Sequence, residues 1–401
     1  MTEEVNSETE TNATGVQKNS LLETVQLHPI VEKMASESLR LNASDIFFST
    51  DFPPAWKVDG KMQPAPTKPL TKEDTEKIVF STMNKSQIRK FIEELDLNYS
   101  IITKSGVRFR VNAYHEQGRL GMVLRRITTE IPSVDNLHLP PVLNELMMKS
   151  RGMIILAGPT GSGKSTTLAA MLDYRNANAA NHILTIEDPI EYVHKPKKSI
   201  VTHREIGVDT LSWENAVQSA LREAPDVVCI GEVRSAESMD YAMKLAQTGH
   251  LCCCTLHAST ANQAIERIIN FYPEEQHEQL LMDLALNLVC IIGQRLAVLK
   301  NVKGRRAIID LMINTTTVQD YIAKGEFMEI KNAMAKSGNE GMQTFDQHLF
   351  QLYINDEITF EEALRQADSA NDLSLRIKLH ESGGNATSSI INDEMAGLGL
   401  L

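Results

Sequence analysis

The chain lacks a basic excess, a membrane-length apolar run and any C-x-x-C pair. Its 401 residues carry 40 lysines and arginines against 52 aspartates and glutamates, a net charge of −12. A dedicated nucleic-acid binder shows a basic surplus or stripe, so no nucleic-acid partner is expected. No apolar run approaches the ~20 residues that cross a bilayer, so membrane association is expected only through partners. The opening stretch MTEEVNSETETNATG is acidic and polar, which excludes a secretory signal and points to a cytoplasmic protein.

Cysteine is scarce and oddly placed. Cys229, Cys252, Cys253, Cys254 and Cys290 make five, and an odd count in a cytoplasmic chain does not suggest a disulfide framework. Three of them fall in GHLCCCTLH, where His250 and His257 complete what looks like a zinc ligand set. Alternation along a strand argues against it. Cys252 and Cys254 would face one way and Cys253 the other, so the three cannot share a tetrahedral ion. Each thiol sits in an apolar run (VVCI, LCCCTL, LVCII) and reads as a small core hydrophobe.

What is present is enough for more than one core. Residues 1–19 are polar and expected to be disordered. Residues 20–127 read as α+β. There Ile88, Phe91, Ile92 and Leu95 carry the i, i+3, i+4, i+7 spacing of an amphipathic helix. Val107, Phe109, Val111 and Ala113 alternate with Arg108, Arg110, Asn112 and Tyr114, giving a strand with one basic, polar face. A second strand, Met122–Ile127, is expected after the turn-like HEQGRLG. Residues 128–148, rich in proline at their start, read as a linker. From 149 to 381, apolar segments (MIILA, HILTI, DVVCI, LCCCTL) alternate with helical stretches, which implies a parallel sheet covered by helices on both faces. Strands stop at about residue 313, and Thr359 with Glu362 reads as a capping box in the helical extension beyond. The Gly/Ser-rich tail from 382 is expected to be mobile.

The strongest signal is Gly158-Pro159-Thr160-Gly161-Ser162-Gly163-Lys164-Ser165, between the apolar run Met153–Ala157 and an alanine-rich helix. This is the G-x-x-x-x-G-K-[ST] phosphate loop in the context it requires. Its glycines let backbone N–H groups curl around phosphate oxygens at a helix N-terminus, which favours negative charge. Lys164 would reach the β- and γ-phosphates, and Ser165 would hold Mg²⁺. Hydrolysis needs an acid at the end of a neighbouring strand, and VVCIGE supplies Glu232. A further strand ends in Glu187, Asp188 and Glu191, any of which could orient or deprotonate the attacking water.

These segments together resemble the secretion and pilus ATPases, the hexameric motors of type IV pili and type II secretion. GPTGSGKSTT is similar to their Walker A loop, ILTIEDPIEYVH to their aspartate box, APDVVCIGEVR to Walker B and TGHLCCCTLHAST to their histidine box. The resemblance covers about residues 25–380 and is strongest to the retraction branch, PilT and above all PilU. The assembly motors carry two C-x-x-C pairs between Walker B and the histidine box, whereas Glu232–His250 contains no cysteine. The chain departs from PilT at Ala307–Asn314, AIIDLMIN, where PilT has AIRNLIRE. Loss of both arginines favours a PilU-like accessory motor.

The resemblance implies a RecA-like P-loop ATPase core, a smaller PAS-like α+β N-terminal domain and a C-terminal helical extension. It implies ATP and Mg²⁺ as the working pair, bound by Gly158 to Thr166, with Glu191 catalytic and Glu232 linked to Mg²⁺. His250 and His257 would sense the phosphate end. Arg108, Arg110, Arg119 and Arg125 would be candidates to reach nucleotide at a subunit boundary. The implied partners are further copies in a homo-hexamer, a PilT-like motor and an inner-membrane pilus platform protein. The alternatives are a nucleic-acid translocase and a non-motor nucleotide-dependent scaffold.

Overall fold

The computed structural model describes residues 25–58, 60–127 and 130–382. The N-terminal stretch 1–19 and all but the first residue of the 382–401 tail lie outside the described residues. Chain contacts form two compact units, the first ending at Ile127.

The first unit is an antiparallel sheet with helices. Its strands are β1 (Asp45–Ser49), β2 (Ala55–Val58), β3 (Lys61–Pro64), β4 (Asp96–Ile102), β5 (Arg108–Glu116) and β6 (Arg119–Arg126), in the order β3-β2-β1-β6-β5-β4. Phe109, Val111 and Ala113 of β5 are fully buried, so the alternation read from the sequence holds. The turn falls inside HEQGRLG, as the sequence suggested, but is shorter than that segment. Both strands run through that segment until Glu116 pairs with Arg119, leaving Gln117 and Gly118 as a two-residue turn with φ of 50° and 74°. Positive φ at both positions matches the twist of a hairpin.

The helix Lys85–Glu94 forms with an Asn84 capping box, yet only Phe91 of its expected stripe is fully buried. Ile92 and Leu95 remain more than half exposed. Leu95 terminates the helix in a left-handed conformation, which takes it off the stripe.

The second unit is built on seven strands: β7 (Gly152–Ala157), β8 (His182–Glu187), β9 (Ile200–Glu205), β10 (Val227–Ile230), β11 (Leu251–Leu256), β12 (Leu288–Val298) and β13 (Arg305–Ile313). They lie in the order β13-β12-β7-β11-β10-β8-β9, all parallel except the antiparallel β12–β13 pair at the edge. All six residues of β7 and of β11 are buried. A central parallel strand is covered on both faces, and each large aliphatic buried there contributes about 1.5–3 kcal/mol.

Alternation then sorts the core. Met153 and Ile155 of β7 join Cys252 and Cys254 on one face, beneath helices that include Ala236–Gln247 and Ala261–Ile269. Ile154, Leu156 and Cys253 face the opposite side, against the helix Lys164–Asn178. The stretch expected as linker is partly core: Val134, Leu139, Leu143, Leu146 and Met147 are buried on this second face, and Val142–Met147 is a helix.

Five helices follow β13, and the last three pack on Ala297 and Ile308. The capping box expected at Thr359 is half made. Thr359 Oγ1 accepts from Glu362 N at 3.2 Å, but the Glu362 carboxylate instead accepts from Val298 N at 2.9 Å, tying this helix to β12.

Candidate active site

The carboxyl ends of β7, β8, β10 and β11 open onto one cavity of about 500 Å³. Thr160, Gly161, Lys164 and Ser165 line one side, Glu187, Asp188, Glu191 and Tyr192 another, and Glu232, Arg234 and His257 a third. A ligand crevice outside the C-terminal ends of parallel strands is what this sheet architecture provides.

The phosphate loop folds as its sequence requires. Gly161 and Gly163 adopt φ of 78° and 88°, and Lys164 opens the following helix. Lys164 Nζ donates to the carbonyls of Gly158 at 2.6 Å and Pro159 at 3.0 Å, so its ammonium is held across the loop's mouth. Burial lowers the Lys164 pKa, against the opposing charges of Glu232 and Glu191. Both carboxylates therefore lie within electrostatic reach of the same amine.

Glu232 follows β10, but β10 is not the direct neighbour of the phosphate-loop strand. β11 lies between them, and its end places His257 in the cavity. Glu232 Oε1 sits 3.0 Å from His257 Nε2, and Oε2 accepts from Arg234 Nη2 at 2.6 Å. Burial would raise the Glu232 pKa, yet the Arg234 hydrogen bond and the charges of His257, Arg234 and Lys164 outweigh it and lower the pKa. Gly231 stands where many such loops carry aspartate. A Cβ there would lie 3.4 Å from the Glu187 backbone, in ordinary van der Waals contact with β8.

The carboxylates after β8 divide by environment. Glu187 is held inward: Oε2 accepts from Glu191 N at 3.2 Å, and Oε1 lies 3.7 Å from His203 Nδ1. Glu191 and Asp188 are exposed at the cavity wall. Tyr192, next to Glu191, meets Thr166 Oγ1 through its hydroxyl at 2.8 Å and joins the carboxylate loop to the first turn of the phosphate-loop helix.

His250 is not brought to this cavity. It precedes β11, where its carbonyl accepts from Gly152 N at the start of β7, while the phosphate loop leaves the other end of that strand. The His250 ring instead meets Leu245 O and Thr248 Oγ1. The intervening strand of six residues places the two histidines at opposite ends of β11.

The cysteines are buried core groups. Burial raises the Cys252 and Cys254 thiols and pushes Cys253 up to about 12. Among the described residues no group of three His, Cys, Asp or Glu side chains could hold a metal ion.

In the first unit, Arg119 pairs with Asp51, and Arg125 Nε donates to the buried Asp45 at 2.8 Å. Arg110 lies directly opposite Arg125 across β5 and β6, and Arg108 lies opposite Ile102. Two facing arginines repel, and Asp45 offsets one of them.

Comparison with known proteins decides the family. Residues 21–365 match the family model described as type II/IV secretion system protein. The type IV pilus ATPase PilU of Pseudomonas aeruginosa is 50% identical over 90% of this chain and 94% of its own. The chain belongs to the type II/IV secretion system family. Its PilT/PilU branch is the one represented: PilT of the same organism, described as a type IV pilus retraction ATPase, is 36% identical over 84% of this chain and 98% of its own. The crystal structure of the pilus retraction motor PilT with bound ADP superposes with a TM-score of 0.81 and 38% identity, over 86% of this chain and 99% of that one. This member of the family is accordingly an ATPase, and its second unit is the P-loop ATPase core.

Gln294 is the site residue that motif reading missed. It lies on β12, buried, and donates to Ser162 O at 2.8 Å. A polar residue inside the apolar run LVCIIGQRLAV was the available clue.

Proposed function

We propose that this ATPase is a ring-forming motor of type IV pilus retraction, acting as a PilU-like accessory to a PilT-like motor at the cytoplasmic base of the pilus. The observation that carries it is the convergence of Lys164, Glu191, Glu232 and His257 on one cavity, in a chain half identical to PilU. A hexamer and an inner-membrane platform protein complete the reading. Among the described residues no helix is long and apolar enough to cross a membrane.

In this reading ATP enters with its phosphates along the loop. Lys164 gives up the Gly158 and Pro159 carbonyls for phosphate oxygens of higher charge, a stronger hydrogen-bonding partner. Glu191, exposed at the wall, takes a proton from the attacking water. His257 and Arg234 hold the Glu232 carboxylate in place. One hydroxyl at Ser165 and one carboxylate at Glu232 suit Mg²⁺, which binds through one or two protein groups plus phosphates and water. When bound, Mg²⁺ neutralises charge developing on the phosphates. Arg110, which makes no ion pair among the described residues and faces Arg125, is the strongest of the four arginines to act at a subunit boundary.

The test is deletion of the gene, alone and together with that of a PilT-like motor, with fluorescence imaging of pili pulling against a load. Retraction under load should fail in the single deletion. Unchanged retraction in every background would overturn the pilus assignment.

A further inference from the structure

The three glycines of the phosphate loop do not all face the same way. Gly161 has nothing within 4 Å of where a Cβ would be, so that part of the loop is open to a ligand. Gly158 and Gly163 are different. A Cβ at Gly158 would lie 2.5 Å from Gln294 O and 2.5 Å from Ser162 Oγ, and one at Gly163 would lie 2.9 Å from Gln294 Nε2. Real Cβ atoms do not approach that closely, and Gly163 also needs its φ of 88°. The close Gln294 carbonyl and Ser162 hydroxyl at Gly158, and the positive φ at Gly163 beside the Gln294 amide, call for glycine at both positions.

Gln294 itself is 2% exposed, and its amide Nε2 donates to Ser162 O at 2.8 Å. That carbonyl belongs to the turn whose backbone N–H groups must point at the ligand. Its Oε1 and the Ser162 hydroxyl are both buried without a hydrogen-bond partner. The contact thus holds one bond and keeps a spare acceptor and a spare donor on the same two residues. Arg295, the next residue, is anchored separately: Nη1 donates to Gln366 O at 2.6 Å, Nη2 to Asp368 Oδ1 at 2.8 Å, and the guanidinium lies 4.1 Å from the Phe345 ring centre. Strand alternation turns these two side chains to opposite sides, so Gln294 is presented to the loop from a firmly held backbone.

We propose that Gln294 is a positioning residue for ATP hydrolysis: its side-chain amide fixes the curvature of the phosphate loop from behind. It touches no substrate and acts through Ser162, Gly158 and Gly163. This rests on the loop being the nucleotide site. Without the amide, the Ser162 carbonyl is buried and unpaired, and the loop relaxes away from the geometry that cups phosphate.

The test compares purified full-length Gln294→Met with wild type. Methionine keeps the length and volume and removes the donor. ADP affinity should weaken by about tenfold, the scale of one buried carbonyl left unsatisfied. The KM for ATP should rise and kcat should fall, while thermal unfolding in the absence of nucleotide shifts far less than the ADP-induced stabilisation. Gln294→Asn, one methylene short of Ser162 O, covers the case in which methionine does not fold and should show the same loss. Wild-type ADP affinity and kinetics in whichever variant folds would overturn the proposal. Lys164→Ala separates the two levels of the argument. A dead Lys164→Ala beside a wild-type Gln294→Met sinks only the role of Gln294, whereas a fully active Lys164→Ala sinks the nucleotide-site reading beneath it.

Discussion

His257 Nε2 lies 3.0 Å from Glu232 Oε1, across the two strand ends that flank the cavity floor. The pair joins the histidine box to the acid after β10 and fixes the carboxylate on one side while Arg234 fixes it on the other. His257→Ala leaves Glu232 held by Arg234 alone, an exposed side chain. Turnover should fall by about ten- to a hundredfold, the cost of losing a group that orients a metal-linked carboxylate. ADP affinity should stay within a few-fold of wild type. Phosphate release and ADP titration measure the two separately.

Asp310 gives a pH dependence with a definite sign. It is buried on β13, and burial, with the nearby charge of Asp368, raises its pKa to about 7; the Ala261 N–H, Lys331 and Arg295 oppose this. An unfolded aspartate titrates near ~4. Between those values the folded chain holds a proton that the unfolded chain has lost, so this group makes stability fall as pH rises from about 4 to about 7, then level off. Asp310→Asn keeps an acceptor for Ala261 N and removes the ionisation. Its melting temperature should exceed that of wild type at pH 8 by several degrees and converge on it near pH 4. Parallel pH profiles of the two proteins would expose any error in the sign.

The run of three cysteines should carry no zinc. Cys252 and Cys254 lie on one face of β11, Cys253 on the other, and all are buried with raised pKa. Purified protein should contain well under one zinc per chain, and a zinc chelator should leave its melting temperature unchanged. Cys253→Ala should cost about 1 kcal/mol as a small cavity beside Met147.

The sequence made the phosphate loop legible because its chemistry is contiguous: the apolar strand, the glycines and the helix follow one another. The same holds for the β8 carboxylates and for the alternation of β5 and β11. What escaped were facts of assembly. Gln294 is 132 residues from its partner Ser162, and nothing local to either announces the contact. The strand end at which His250 lies follows from strand direction, which the box motif does not encode. Glu362 stands three residues after Thr359, as a capping box needs, but a backbone N–H on β12 competed for its carboxylate and won. Leu95 keeps helical spacing although the helix stops at Glu94, and Ile92 lies within the helix yet stays exposed. Val134 to Met147 looked like linker because prolines mark breaks, yet their apolar residues had a sheet face to cover.

Single-turnover ATP cleavage by Glu191→Ala, measured beside its ADP affinity, bears most directly on this site. ADP binding should match wild type, because the phosphate loop and Lys164 are untouched, and cleavage should drop by about a hundredfold or more, as loss of a general base entails. Cleavage at the wild-type rate with binding intact would mean that another group activates the water and that the assignment of Glu191 is wrong.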